Sequence, residues 1–182
     1  MTAKLEYRKG DLFAALDKHL NEQPSRAYPG FIMVPHVCND QGAWGAGFVL
    51  ALSKWWPEAE AQYRRWSKAW KPTIFRMGMT ALVENVQGVY IANMVAQELG
   101  GVKPLRYAAL GSCMFQAAEK MNAIRFYGEH DPTNTVAVDY TFKIWCPKFG
   151  SGLAGGNWSH IEEMIVETWV ETFGCDVTVF ER

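Results

Sequence analysis

The chain reads as one α/β domain spanning residues 1–182, a three-layer α/β/α sandwich with a mixed β-sheet between two helical layers. Three observations predict it. Short apolar runs alternate with stretches of helical period along the whole length. The run Phe31-Ile-Met-Val34 is apolar on both faces, as expected of a central strand covered by helices. Twice an apolar run opens into a glycine-rich turn that leads into a helix, at residues 42–47 and 150–156.

The elements follow in order. Leu5 and Tyr7 alternate with polar residues and predict a first strand ending at Lys9-Gly10-Asp11. Asp11 suits the cap of a short helix that buries Leu12, Phe13, Leu16 and Leu20. A polar loop with Pro24 and Pro29 leads to the strand over 31–34. After the first glycine turn, 48–55 reads as helix, and Pro57 suits the first turn of a continuation whose face is Ala59, Tyr63, Trp66 and Trp70. Strands are predicted over 80–83 and 89–94, separated by the Glu84-Asn85 and Gln87-Gly88 turn signals. Leu110, Met114, Ala117 and Met121 mark a long helix, and 128–134 reads as loop. A strand over 142–146 opens into the second glycine turn. Ser159 with Glu162 has the spacing of a capping box, with Ile161, Ile165 and Thr168 continuing that helix, and Val177, Val179 and Phe180 form a last strand.

Composition narrows the function classes. Hydrophobic residues make up 49% and charged residues 20%, and the net charge is −1, which supplies no general field for nucleic acid. No apolar run reaches the roughly 18 residues of a membrane span, and the first residues lack a signal-peptide core. A cytoplasmic location is expected, with no membrane partner. Cys38, Cys113, Cys146 and Cys175 are widely spaced with no Cys-x-x-Cys pair, so reduced structural thiols are expected and no metal site.

Chemistry concentrates in Pro-His-Val-Cys-Asn-Asp-Gln-Gly-Ala-Trp-Gly-Ala-Gly-Phe, residues 35–48. Metal ligation, a phosphate cradle and a plain tight turn all fit such a stretch by itself; metal ligation lacks partners. The second glycine loop, again between strand and helix, favours the cradle. In open α/β sheets ligands bind outside the carboxyl ends of the strands. There glycines uncover backbone N–H groups, and a helix N-terminus adds positive potential. No Gly-x-x-x-x-Gly-Lys-Ser/Thr is present, which argues against a nucleotide-hydrolysing P-loop. The Gly-x-Gly-x-x-Gly through Gly150, Gly152 and Gly155 stands too late in the chain for a dinucleotide fold.

Taken in order, the motifs resemble one family. Lys9-Gly10-Asp11-Leu12, His36-Val-Cys-Asn39, Gly42-Ala-Trp-Gly-Ala-Gly47, Ile91-Ala-Asn-Met94 with Gln97, and Gly150-Ser-Gly-Leu-Ala-Gly-Gly-Asn-Trp158 are together similar to the macro domain. Within it, the first glycine stretch followed by Trp56-Pro57-Glu58-Ala59-Glu60 most resembles the yeast-type ADP-ribose 1″-phosphate phosphatase branch. The motifs are individually short; their order over nearly the whole chain carries the resemblance.

That resemblance implies a cleft for ADP-ribose. Asp11, with Leu12 beside it, would accept a hydrogen bond from the adenine amino group, or serve only as a helix cap. Gly150, Ser151, Gly152, Leu153, Ala154, Gly155 and Gly156 would wrap the diphosphate through backbone N–H groups. Gly45, Ala46 and Gly47 would pass close to the distal ribose, with Gly42 and Phe48 in the same wall and Trp44 covering the ligand. Asn39 would orient the distal ribose or a water, or else bond the turn backbone. Asn157 would close the second loop or cap the next helix.

The implied reaction is hydrolysis of the terminal phosphate of ADP-ribose 1″-phosphate to ADP-ribose and phosphate, without cofactor. His36 and Asn39 are the catalytic candidates. His36 has a side chain suited to proton transfer near neutrality, although a strand histidine is otherwise a core residue. Its carboxylate partner is unassigned among Asp40, Asp131 and Asp139. Relatives that strip ADP-ribose through a lysine and an aspartate carry that aspartate after Gly-Leu in the second loop, where this chain has Ala154. The alternatives are a non-catalytic ADP-ribose reader and a hydrolase removing ADP-ribose from modified protein or nucleic acid. The expected partner is the small-molecule substrate, or an ADP-ribosylated macromolecule.

Overall fold

A computed structural model describes residues 2–22, 30–69, 75–85, 88–129 and 142–181. Pro24, Pro29, Trp70, Gln87, Asp131 and Asp139 lie outside the described residues. The strands are β1 (Leu5–Lys9), β2 (Phe31–Asn39), β3 (Thr80–Glu84), β4 (Val89–Gln97), β5 (Phe142–Pro147) and β6 (Asp176–Glu181). The helices are α1 (Leu12–Asn21), α2 (Phe48–Trp55), α3 (Glu58–Ala69), α4 (Tyr107–Glu129) and α5 (Trp158–Ile165), the last continued by a wider π-wound turn, Val166–Thr172. The strands form one sheet in the order β1-β6-β5-β2-β4-β3, parallel except for the β3–β4 pair.

Side-chain alternation divides this sheet between two helical layers. Phe31 and Met33 of β2, with Tyr90, Ala92, Met94 and Ala96 of β4, pack with Leu110, Met114 and Met121 of α4 and Ile161 and Ile165 of α5. On the opposite face Ile32, Val34, Val89 and Ile91 pack with Leu12 and Leu16 of α1, Leu52 of α2 and Ala59 of α3. β2 and β4 are therefore buried on both faces almost throughout, which explains their unbroken apolar runs.

One topological detail positions the cleft. β2 pairs with β5 only over Phe31–Met33, while its pairing with β4 continues to Asn39. Pro35, which has no N–H to donate, lies where only the β4 side is paired. Beyond Met33 the chain from β2 runs to α2 on one face, and the chain from β5 runs to α5 on the other. Neighbouring strands whose connections leave toward opposite faces open a crevice at their carboxyl ends.

Several elements differ from their sequence-based expectations. β2 continues through Pro35 to Asn39 rather than stopping at Val34. α3 buries Ala59, Tyr63 and Ser67, with Trp66 only half-buried, because Ser67 is the residue packed beneath the first glycine loop. α4 runs on through residues 128–129, which the sequence reading assigned to a loop. The cap of α5 is Asn157, whose Oδ1 accepts from Ser159 N at 3.0 Å; Ser159 is inside the helix, and Glu162 accepts from the Tyr7 hydroxyl at 2.5 Å instead of closing a capping box. The wider winding after Ile165 brings Trp169, not Thr168, into the core, where its Nε1 donates to Met114 O at 2.9 Å. All four cysteines are buried and unpaired with one another. Among the described residues no helix is long and apolar enough to cross a membrane, and no three His, Cys, Asp or Glu side chains are placed to hold a metal.

Candidate functional site

Two adjoining cavities lie along the carboxyl edge of the sheet. The larger, about 580 Å³, is walled by the loops after β2 and β5 and floored by the ends of β2 and β4. The smaller, about 250 Å³, lies between Gly10–Phe13 and Phe180, and shares Gly47, Phe48 and Pro147 with the larger. Together they form a cleft crossing the sheet edge from β1 and β6, past β5 and β2, to β4.

The first loop presents backbone to this cleft. Asn39 builds the turn: its Oδ1 accepts from Gln41 N (3.0 Å) and Ala43 N (2.9 Å), and its Nδ2 donates to Ala43 O (2.7 Å). Arg64 of α3 holds the same loop from outside, donating through Nη2 to Trp44 O at 3.3 Å. Gly45 has φ of +147° and Gly47 φ of +70°, conformations that L side chains rarely adopt. A Cβ on Gly45 would meet nothing within 4 Å, so that position opens directly on the cleft. Gly47 then starts α2 with no side chain capping it, leaving the first N–H groups of the helix and their positive potential at the cavity wall.

The second loop treats its glycines differently. Gly150, Gly152, Leu153 and Ala154 line the cavity, whereas Ser151, Gly155, Gly156 and Asn157 serve the loop itself. Ser151 Oγ donates to Lys148 O, and Gly155 N and Gly156 N donate to Gly152 O and Gly150 O, both at 2.8 Å. Asn157 caps α5, and its own N–H donates to the Tyr107 hydroxyl at 2.7 Å. Gly42 likewise does not line the cavity: a Cβ there would fall 2.5 Å from Ser67 Oγ. The two loops meet where Leu153, 69% exposed, reaches to 3.3 Å from where a Cβ on Gly47 would stand.

The floor is polar but uncharged. His36 is 1% exposed, and its Nε2 lies 2.7 Å from Oδ1 of Asn93, its register partner on β4. Burial pushes the imidazole down to about 4, outweighing the bonds to Asn93 and the Val37 backbone, which favour its protonation. The ring is further enclosed by Trp44 and Phe48, with centroids 5.7 and 5.5 Å away. Burial also drives the Cys38 thiol well above its usual range. Asp40 turns elsewhere, its Oδ1 accepting from Leu99 N at 3.0 Å and its Oδ2 from Gln41 Nε2 at 3.1 Å. Among the described lining residues of the larger cavity there is no carboxylate. Its one cationic side chain, Lys148, is paired with Glu181 at 2.5 Å.

In the smaller cavity Asp11 caps α1, with Oδ1 accepting from Phe13 N and Ala14 N, each at 3.0 Å. Leu12, Phe13, Ala51 and Phe180 add apolar walls. Trp44 lines the larger cavity but is half-buried, its ring 5.2 Å from Tyr63 and its Nε1 donating to Ser53 Oγ at 2.8 Å. Trp55 and Trp56 belong to the packing around Leu12 and Leu52, and Trp66 to that around Tyr63 and Phe75. The sequence reading placed Asn93 and Gln97 in the family motif without giving either a role, and missed Leu99 after β4 and Phe13 and Phe180 in the smaller cavity. A buried asparagine inside the apolar run of β4 was the available signal for Asn93; the others depend on strand order.

No protein-family model and no curated protein sequence matches the chain. Solved structures do. A protein of unknown function from Bacteroides thetaiotaomicron is 32% identical, each chain covering 100% of the other, with a TM-score of 0.73. A macrodomain protein from Streptomyces coelicolor is 31% identical over 98% of this chain and 99% of its own, with a TM-score of 0.70. The chain belongs to the macrodomain family. The Thermosipho africanus DarTG structure, solved in complex with ADP-ribose, shares the macrodomain fold at 14% identity and a TM-score of 0.60, over 96% of this chain and 41% of that one.

Proposed function

We propose that this macrodomain binds ADP-ribose along the cleft and hydrolyses ADP-ribose 1″-phosphate. The observation that carries the binding reading is the uncapped N-terminus of α2 at Gly47, facing the second loop at Gly152–Ala154 across the larger cavity. An anion there gains the free N–H groups and the helix potential, with no lining carboxylate to repel it. With the diphosphate at that point, the adenosine occupies the smaller cavity. Phe13 and Phe180 would flank its base, and the Asp11 carboxylate would accept from the amino group while still capping α1. The distal ribose then falls beyond the diphosphate, beside Gly45 and above the ends of β2 and β4. An ADP-ribose complex of a longer protein, 41% of which matches this fold, is consistent with this choice of ligand.

The phosphatase reading rests on the resemblance to that branch and on the neutral distal end of the cavity, which takes a phosphate on C1″ without charge repulsion. In this reading His36 has a narrower part than the sequence suggested. Held neutral and without a carboxylate, it orients the floor through Asn93 and supplies no proton at neutral pH. Phosphate release would depend on backbone N–H groups stabilising the phosphoryl charge and on a water placed between Asn39 and Gly45. The same buried, carboxylate-free His36 is what favours a second reading, a non-catalytic reader of ADP-ribose. Ala154 supplies no carboxylate for removing ADP-ribose from acidic side chains.

The deciding experiment sets calorimetric titration with ADP-ribose beside phosphate release from ADP-ribose 1″-phosphate. Saturable binding with release above buffer is expected. Binding without release leaves the reader; release without binding, or neither, rejects the cleft assignment.

A further inference from the structure

Six side chains with polar atoms line the larger cavity, and five of them already have a partner within the protein. His36 is held by Asn93, and the Cys38 sulfur sits 3.7 Å from His36 Nδ1. Asn39 is bound into its turn, the Trp44 indole donates to Ser53, and Lys148 pairs with Glu181. The sixth is Gln97. Its backbone is fixed, with the carbonyl accepting from Asp40 N at 2.9 Å and the residue in register with Asn39. Its half-buried side-chain amide makes no hydrogen bond to any described residue. A carboxamide offers two donors and an acceptor, and those of Gln97 are open to a polar ligand entering the cavity.

The sheet order says which part of a ligand it would meet. From β1, where Asp11 begins the cleft, to β4, which ends in Gln97, there are four steps of about 4.8 Å, roughly 19 Å in all. Gln97 lines only the larger cavity, at the end farthest from Asp11. We infer that Gln97 is a specificity-determining residue, whose carboxamide hydrogen-bonds the distal ribose and the group carried on its anomeric carbon. A neutral amide there accepts a hydrogen bond from a ribose hydroxyl and donates one to a phosphate oxygen equally well. A glutamate in the same place keeps the acceptor, loses the donors and adds a charge. The inference rests on the ADP-ribose reading of the cleft.

Titrations of the wild type, Gln97→Ala and Gln97→Glu with ADP and ADP-ribose test it, because only ADP-ribose carries the distal ribose. Gln97→Ala is expected to weaken ADP-ribose about three- to tenfold and leave ADP within twofold. In competition with labelled ADP-ribose, read within seconds of mixing, Gln97→Glu should lose at least a further tenfold for ADP-ribose 1″-phosphate relative to ADP-ribose. Unchanged ADP-ribose affinity in Gln97→Ala, or equal losses for ADP and ADP-ribose, overturns the role of Gln97 while leaving the cleft reading intact. A wild type that binds neither ligand removes both. Thermal melts of the two variants exclude a folding defect.

Discussion

In the loop after β2, Gly45 looks onto open space and Gly47 starts a helix that nothing caps; in the loop after β5, Gly156 is wedged against Leu105 and the Gly150 carbonyl, and Asn157 caps the helix. Both loops join a parallel strand to a helix, and both read as phosphate cradles. Only the first offers its helix N-terminus outward. The second spends its hydrogen bonds on its own shape and presents a short rim, Gly152–Ala154, to the cavity. A glycine-rich turn thus has two physical uses, to leave room for a ligand or for neighbouring chain, and the two give opposite results when a side chain is added.

The largest effect belongs to the closed loop. A Cβ on Gly156 would stand 2.4 Å from Leu105 Cδ2 and 2.7 Å from Gly150 O. Gly156→Ala should therefore lose about 3 kcal/mol in denaturant unfolding, the upper range for overpacking, because a backbone oxygen cannot step aside. A loss below about 0.5 kcal/mol would show that the second loop has slack and that the contrast is drawn too sharply.

The floor between the loops gives the next effect, through pH. His36 is held at about 4 in the fold against an ordinary value of 6.5, so the unfolded chain takes up the proton first. Its contribution is fully present above pH 6.5 and is lost as pH falls toward 4, reaching roughly 3 kcal/mol at the acid end. His36→Asn should flatten stability over that window; an unchanged acid slope would place the titrating group elsewhere. For the same reason phosphate release should show no inflection near pH 6.5 from this histidine.

At the open loop, Gly45→Val should cost more in binding than in stability. Backbone strain takes about 1–2 kcal/mol, while ADP-ribose affinity falls more than tenfold because the side chain fills the ligand's path. Binding within threefold of wild type would mean that the ligand does not pass Gly45. The smallest effect is Asn157→Ala, expected to cost about 1 kcal/mol as a lost helix cap and to leave ADP-ribose affinity within twofold. A large affinity loss there would return Asn157 to the ligand.

These contrasts also show what could be read before the fold was known. The doubly apolar run of β2, the two strand–glycine–helix passages and Asp11 as a helix cap follow from local spacing and local hydrogen bonds, and each stands in the structure. The side on which a glycine is crowded depends on chain distant in sequence: Ser67 decides Gly42, and Leu105 decides Gly156. Gln97 sits at the cleft only because β4 pairs with β2, and His36 is neutral because the fold buries it beneath Trp44 and Phe48, against the opposing pull of its bond to Asn93. Composition carries none of those tertiary facts.

Backbone amide resonances followed during titration with ADP-ribose distinguish the open loop of the cleft from the closed one. Residues 11–13, 45–48, 97 and 152–154 should shift together and saturate at one equivalent, while those of 155–157 move little. Equal shifts throughout both loops, or shifts confined to another face of the sheet, would contradict that division of the cleft.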